Sequence, residues 1–302
     1  MPDPTGGLLV LVGPGRAGLA LLRSWTGAGG KVVVIARDAS AARRALSDSV
    51  EVRAQDDGRD LTGDYLVLAV PDDAIEPVAA ALAPRAACRF SFHLSGALSA
   101  NALAPLTPTA SVGSLHPLRA FTGASDESWK DSFVAVEGDE EAAQAGSRLC
   151  RTIGARPRRV APADKPLYHC AATLAAGGVA SLLSLAARLW ENAGLDREEG
   201  RVELARLAVG AAEAVGRLPF ADALTGPVAR RDVETVRLHR DALSGRPDIA
   251  RLYGDLALET LRRTAGRGRE GEIARLLELS GERPEGPVRA SGEKSDTLAP
   301  KG

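Results

Sequence analysis

With 302 residues, 45% hydrophobic and 25% charged, the chain has ordinary globular composition and room for two domains. Lys+Arg (38) and Asp+Glu (39) balance to a net charge of -1, so the basic excess typical of nucleic-acid binders is missing and no nucleic-acid partner is expected. No apolar run approaches the roughly 18 to 20 residues of a bilayer-spanning helix, so no membrane partner is expected either.

The first apolar run, LLVLVG, is short and lacks a basic leader, and Cys88, Cys150 and Cys170 are odd in number and scattered. These features point to a cytoplasmic protein without a disulfide framework. His and Cys residues lack the short spacing of a zinc site, so no metal is expected. Heavy alanine and arginine usage, with lysine only at Lys31, Lys130, Lys165, Lys294 and Lys301, reads as bacterial coding bias.

In chain order, LLVLV (8–12) is a short buried strand, followed by GPGRAG and the helical LALLRSW. KVVVIAR (31–37), VEVRA, DYLVLAV (64–70), CRFSFHL (88–94), ASVGSLH (110–116) and SFVAVEG (132–138) read as further strands, several separated by helix formers such as DAIEPVAAAL. Strands alternating with helices predict an α/β fold, a doubly wound parallel sheet of Rossmann type over residues 1–160. Beyond that, apolar positions recur at helical spacing from Leu167 to Leu189, from Val202 to Leu218, and through VETVRLHRDAL, IARLYGDLALETL and EIARLLEL. This predicts an all-α domain over 161–280. Residues 281–302, rich in Pro, Gly and charge, read as a disordered tail.

Gly13-Pro14-Gly15-Arg16-Ala17-Gly18 fits G-x-G-x-x-G between a strand and a helix, in the first β-α-β unit. Gly13 permits the tight turn, Gly15 lets a pyrophosphate approach the backbone, and Gly18 allows close helix–strand packing. The following helix start offers free N–H groups to phosphate. At the end of the second strand an acidic residue selects NAD and an arginine favours NADP. Arg37 stands there, so NADP(H) is expected, with NAD the alternative because Asp38 is one residue away. Val70 and Pro71, at the end of the fourth strand, complete the expected cofactor contacts.

Hydride transfer also needs a group that moves a proton. His93 and His116 end strands on the side where doubly wound sheets bind ligands, and Pro117 holds His116 extended. Ser95 and Gly96 would present a hydroxyl and backbone N–H groups at a helix start. His116, titrating near neutrality, would be the proton donor, with His93 and Ser95 beside it. Lys165, Tyr168 and His169 fall around the first turn of the next helix, where Pro166 is well placed. There His169 suits hydrogen bonding to substrate or cofactor. His239, inside an amphipathic helix, reads as structural.

Taken together, FHLSGALS, GSLHPLRAF, LYHCAATLAA and ALTGPVARRD behind the glycine motif resemble the Rossmann-like/DUF2520 family, similar in layout to the 6-phosphogluconate dehydrogenase-like superfamily. The His-Pro element is similar to one in prephenate dehydrogenases. The resemblance implies a Rossmann domain followed by a 6-phosphogluconate dehydrogenase C-terminal-like helical domain that supports homodimerisation. It also implies an NAD(P)-dependent oxidoreductase acting on a small-molecule substrate, an oxo or imino compound, expected to be carboxylated. Two departures stand out: Gly177-Gly178 where family members often carry an asparagine, and Arg230-Arg231-Asp232 where they tend to read R-G-D. The missing asparagine motivates the alternative of a non-catalytic nucleotide-binding sensor or scaffold.

Overall fold

The computed structural model describes residues 7–47, 49–266 and 269–277. The chain forms two compact units, Met1–Gly178 and Val179–Gly302. The first unit thus continues past residue 160, the expected boundary, and takes in the helix start that carries Lys165, Tyr168 and His169. The tail expected at 281–302 lies outside the described residues.

The first unit is an eight-stranded sheet in the order β3-β2-β1-β4-β5-β6-β7-β8. Its strands are β1 (Leu8–Val12), β2 (Lys31–Ala36), β3 (Glu51–Ala54), β4 (Leu61–Leu68), β5 (Ala86–His93), β6 (Ser111–Pro117), β7 (Phe133–Gly138) and β8 (Arg156–Arg159). β1 to β6 run parallel in Rossmann order, as the alternating pattern predicts. β7 pairs antiparallel with β6, so the doubly wound sheet is parallel except at this one pairing. β8, with sequence RPRR, has no apolar alternation to announce it; it extends the edge by pairing with β7.

Alternation along β1 shows how the sheet is covered. Leu9 and Leu11 pack in one core with Leu21 and Trp25 of helix α1 (Arg16–Gly27), while Val10 and Val12 join the opposite core. Helix α2 (Ala39–Ala45) and α4 (Glu140–Thr152) add Ala42 and Leu149 to the first core; α3 (Asp72–Leu82) adds Ile75 and Leu82 to the second. After β5 the chain forms a bend and a short 3₁₀ turn, Ala100–Leu106, in place of the helix expected after Gly96. Between β6 and β7 a loop is pinned by the fully buried Trp129, whose indole N–H donates to the Ala17 carbonyl at 3.1 Å.

The unit closes with α5 (Lys165–Thr173) and a π-helical turn, Leu174–Gly178. Lys165 is the first residue of α5. The single long helix expected from Leu167 to Leu189 is therefore interrupted by a wider turn at the glycine pair. The whole helical run Pro162–Asn192 is long and apolar enough to cross a membrane by length and composition, and almost none of its most apolar window is buried. This corrects the reading that no segment of the chain reaches that size.

The second unit is helical: α6 (Val179–Asn192), α7 (Arg197–Arg217), α8 (Phe220–Ala223), α9 (Gly226–Arg230), α10 (Val233–Ala242), α11 (Pro247–Arg263) and α12 (Glu270–Leu277). α6 packs on α7, where Gly200 leaves room for the Trp190 ring. Val233, Val236, Ala257, Leu261 and Ile273 form a small core among the later helices. His239 bonds Tyr253 Oη at 3.0 Å, consistent with a structural role.

Candidate active site

The glycine motif follows β1 as a tight turn. Gly13 has φ +78°, a left-handed conformation, and a Cβ there would stand 2.7 Å from Val70 Cγ1. Its N–H donates to the Ile35 carbonyl at 2.9 Å. A Cβ on Gly18 would lie 2.8 Å from that of Ala69, so α1 sits close against the end of β4. Gly15 is exposed, and its absent Cβ would meet only the Ala69 carbonyl, at 3.5 Å.

Helix α1 begins after Gly15 with no side-chain cap, so the amides of Arg16, Ala17 and Gly18 remain available at its positive end. Pro14 completes the turn, and Pro71 precedes α3 at the end of the β4 segment. These residues meet at the carboxyl ends of β1 and β4, where the strand order reverses, and the open glycine turn with uncapped amides fits a dinucleotide pyrophosphate. Past β2, Arg37 is exposed and makes no hydrogen bond or ion pair among the described residues. Asp38 instead caps α2, accepting from Ala41 N at 2.8 Å. Its carboxylate is thereby engaged at the start of α2.

A second cluster forms at the ends of β5 and β6. His116 Nδ1 bonds Tyr168 Oη at 2.9 Å, and its ring stands edge-on to those of Tyr168 and His169. Gly96 completes the group. A Cβ there would fall 2.3 Å from His169 Nδ1 and 2.9 Å from His116 Nε2, so any side chain would collide with both imidazoles. His169 Nδ1 is buried and has no hydrogen-bond partner among the described residues. Burial, helped by the neighbouring His169 and Lys165, pushes the His116 pKa down to about 4. His116 is therefore a neutral imidazole at neutral pH, which corrects the expectation of a histidine titrating near 7. Burial also raises Tyr168 to about 12, so its hydroxyl stays protonated.

His93 is fully buried, with both ring nitrogens engaged by backbone: Nδ1 accepts from Ser95 N at 3.1 Å, and Nε2 donates to the Ser99 carbonyl at 3.0 Å. Burial lowers its pKa to about 4. With neither nitrogen free, His93 braces the 93–99 bend and is corrected from catalytic candidate to scaffold. Ser95 has a similar fate. Its hydroxyl donates to Asp72 Oδ2 at 2.8 Å and accepts from the amides of Ala97 and Leu98.

Sequence reasoning left three participants out of the site: Asp72, Ser114 and Glu137. Lys165, noted only for its position, is fully buried, its ammonium donating to the Ser95 carbonyl at 3.1 Å and to Ser114 Oγ at 2.6 Å. Ser114 donates to Glu137 Oε2 at 3.1 Å, directly across the β6–β7 register. A signal was present for both. Ser114 shares a strand face with His116 by period-two spacing, and Glu137 is a lone charge in the apolar strand FVAVEG.

Residues 7–117 match the profile of the Rossmann-like domain, and residues 132–260 match that of DUF2520, a domain of unknown function. No curated protein is significantly similar in sequence. Among solved structures, protein TM1727 from Thermotoga maritima superposes with a TM-score of 0.69 at 23% identity, over 85% of this chain and 98% of that one. BF3122 from Bacteroides fragilis, described as a proposed NADP oxidoreductase, gives 0.70 at 21% over 85% and 99%. A reductive aminase from Aspergillus terreus, in complex with NADPH and ethyl levulinate, gives 0.57 at 17% over 90% and 98%. At these identities the likeness is one of fold.

The two depressed histidines link stability to pH. Each falls to about 4 in the folded protein from an ordinary 6.5, so their contribution is complete above about pH 6.5 and is lost as pH falls towards 4. Urea midpoints should decline across that window. Imidazole proton NMR of the four histidines should show two that stay neutral until the protein approaches pH 4; four ordinary titrations near 6.5 would contradict the burial argument.

Proposed function

Since the chain belongs to the Rossmann-like/DUF2520 family, we propose that it is an oxidoreductase that moves a hydride between NADP(H) and a small oxo or imino compound. The observation that carries this reading is the meeting of His116, Tyr168 and His169 over Gly96, on the sheet whose β1–β4 ends hold the open glycine turn. When bound, the nicotinamide cofactor supplies or accepts the hydride. Arg16, Ala17 and Gly18 would hold its pyrophosphate on their amides, and Arg37 would contact a 2′-phosphate.

The chain's own part in the chemistry is the proton. In the reductive direction, His116 Nε2–H gives its proton to the substrate oxygen or nitrogen that gains the electron pair, while Nδ1 takes the proton of Tyr168. The phenol is then reprotonated from water. A neutral histidine paired with a protonated tyrosine suits this relay better than an imidazolium would. His169 Nδ1, buried without a partner, would bond the bound ligand. Lys165, the cation held by this cluster, is fully buried on Ser95 and Ser114 and is not offered to a substrate carboxylate, so the carboxylated character expected of the substrate gains no support from it.

We also propose that a second copy of the chain covers the apolar helical surface. Leu167 and Leu174 are 75% and 68% exposed, with Val179 and Leu182 following on α6, and Leu207 and Val209 are exposed on α7. So much apolar surface is uncommon on a monomer. A homodimer fits better than membrane insertion, because the start of that run holds Lys165 and Tyr168 in the strand-end cluster. Light scattering at micromolar concentration should return twice the chain mass; a monomer there sinks the proposal.

For the cofactor, calorimetry should give at least tenfold tighter binding of NADPH than NADH, and Arg37→Ala should remove most of the difference, as expected for one charge-assisted contact of about 1.5–3 kcal/mol. Equal affinities would reject the role of Arg37. For the proton, a screen of oxo and imino compounds followed at the nicotinamide absorbance should find a substrate, and His116→Gln should slow its turnover by about 10² to 10⁴ with NADPH affinity kept. Unchanged turnover removes His116 from the relay. Tight NADPH binding without turnover of any compound would favour the sensor reading.

A further inference from the structure

An ammonium group with no exposed surface needs a counterion, and a hydrogen-bonded route from Lys165 to one runs through Ser114. Its Nζ donates to Ser114 Oγ at 2.6 Å, and Ser114 donates on to Glu137 Oε2 at 3.1 Å. Glu137 is itself 3% exposed and accepts from Ala100 N at 2.8 Å. We propose that Glu137, acting through Ser114, is the counterion that keeps Lys165 charged, and that the three form a positioning unit which fixes the first turn of α5.

The argument rests on what this tie holds. Lys165, Tyr168 and His169 are spaced i, i+3 and i+4, on one side of α5. With the tip of Lys165 fixed between the ends of β5 and β6, the rotation of the helix is fixed, and the Tyr168 hydroxyl arrives on His116 Nδ1. Stability alone does not call for such an arrangement, because well-packed apolar side chains often replace a buried ion pair without loss. What an apolar replacement lacks is direction: the ammonium bonds one carbonyl and one hydroxyl at defined angles.

The charged and titratable groups around Lys165 agree with this assignment. From β7 comes Glu137, from α3 Asp72 by way of Ser95, from β5 His93, from β6 His116, and from α5 itself Tyr168 and His169. Both histidines on the strands are neutral at pH 7. Burial lowers the Lys165 pKa, and Glu137 and then Asp72 oppose that shift.

The test uses the full chain and needs no substrate. Only Lys31, Lys130, Lys165, Lys294 and Lys301 are lysines, so ε-¹³C-lysine NMR resolves each one, and Lys165→Met identifies the resonance of interest. It should titrate below the other four. In Glu137→Gln its midpoint should drop further by about one unit or more, as expected when an opposite charge within ~6 Å is removed. The ¹⁵N shifts of His116 should then lose the mark of its bond to Tyr168, while NADPH affinity changes by less than about twofold. If Glu137→Gln does not fold, Ser114→Ala removes the bridging hydroxyl and should move the midpoint in the same direction. A Lys165 that titrates with the other lysines, or one unmoved by either variant, overturns the proposal. The Lys165 titration and the His116 shifts need neither turnover nor cofactor, so they stand or fall apart from the oxidoreductase proposal.

Discussion

Polar atoms taken out of water at the carboxyl ends of this sheet must find partners inside the protein, and that constraint shapes the site. An unmatched buried group costs about 1–3 kcal/mol. His93 meets the demand with two backbone bonds, Ser95 with a carboxylate and two amides, and Lys165 with a carbonyl and a hydroxyl. These matched groups are the frame. Among the described residues, what remains unmatched in the cluster is His169 Nδ1, together with the Nε2 side of His116 facing Gly96. The other buried orphans, on Ser91, Ser132 and Trp190, lie outside it. Chemistry is available only where the frame leaves a nitrogen unclaimed, and both such nitrogens point at a residue without a side chain.

The features legible in the sequence were those written in local patterns. Apolar strands, the glycine turn and the helical second half depend on neighbours a few residues apart, so spacing and composition reveal them. The direction of β7 and the existence of β8 do not. An antiparallel strand has the same alternation as a parallel one, and RPRR pairs through its backbone despite its charges. The site divides in the same way. His116 and His93 were visible as polar residues at strand ends, but which of them has a free nitrogen depends on bonds made after folding. The Tyr168–His116 bond joins residues 52 positions apart, and the Lys165–Ser114 bond joins residues 51 apart. No local pattern encodes either one.

Of the two departures from the family pattern, one has a clear physical account. Arg231 stands where family members tend to have glycine, and its φ of +63° is the left-handed conformation a glycine would adopt freely. The strain is offset by the guanidinium, which is 4% exposed and donates to the carbonyls of Val228 and Ala229 and to Thr264. It also pairs with Glu270 of α12. The guanidinium thereby clamps the end of α9 to the end of α11.

The glycine pair at 177–178 is different in kind. A Cβ on Gly177 would meet nothing within 4 Å, and one on Gly178 only the Thr173 carbonyl at 3.6 Å and Leu174 at 4.0 Å. Packing in this chain therefore does not forbid an asparagine there. The pair instead coincides with a π-helical turn, a form that tends to mark functional positions in helices. Upstream of it, α5 carries Lys165, Tyr168 and His169 in its first turns and then only small or apolar residues and Thr173. Polar function on this helix is concentrated where it meets the strand ends. On the proposed function, a substrate would be oriented from that end, by His169 and the His116–Tyr168 pair, in place of an amide further along.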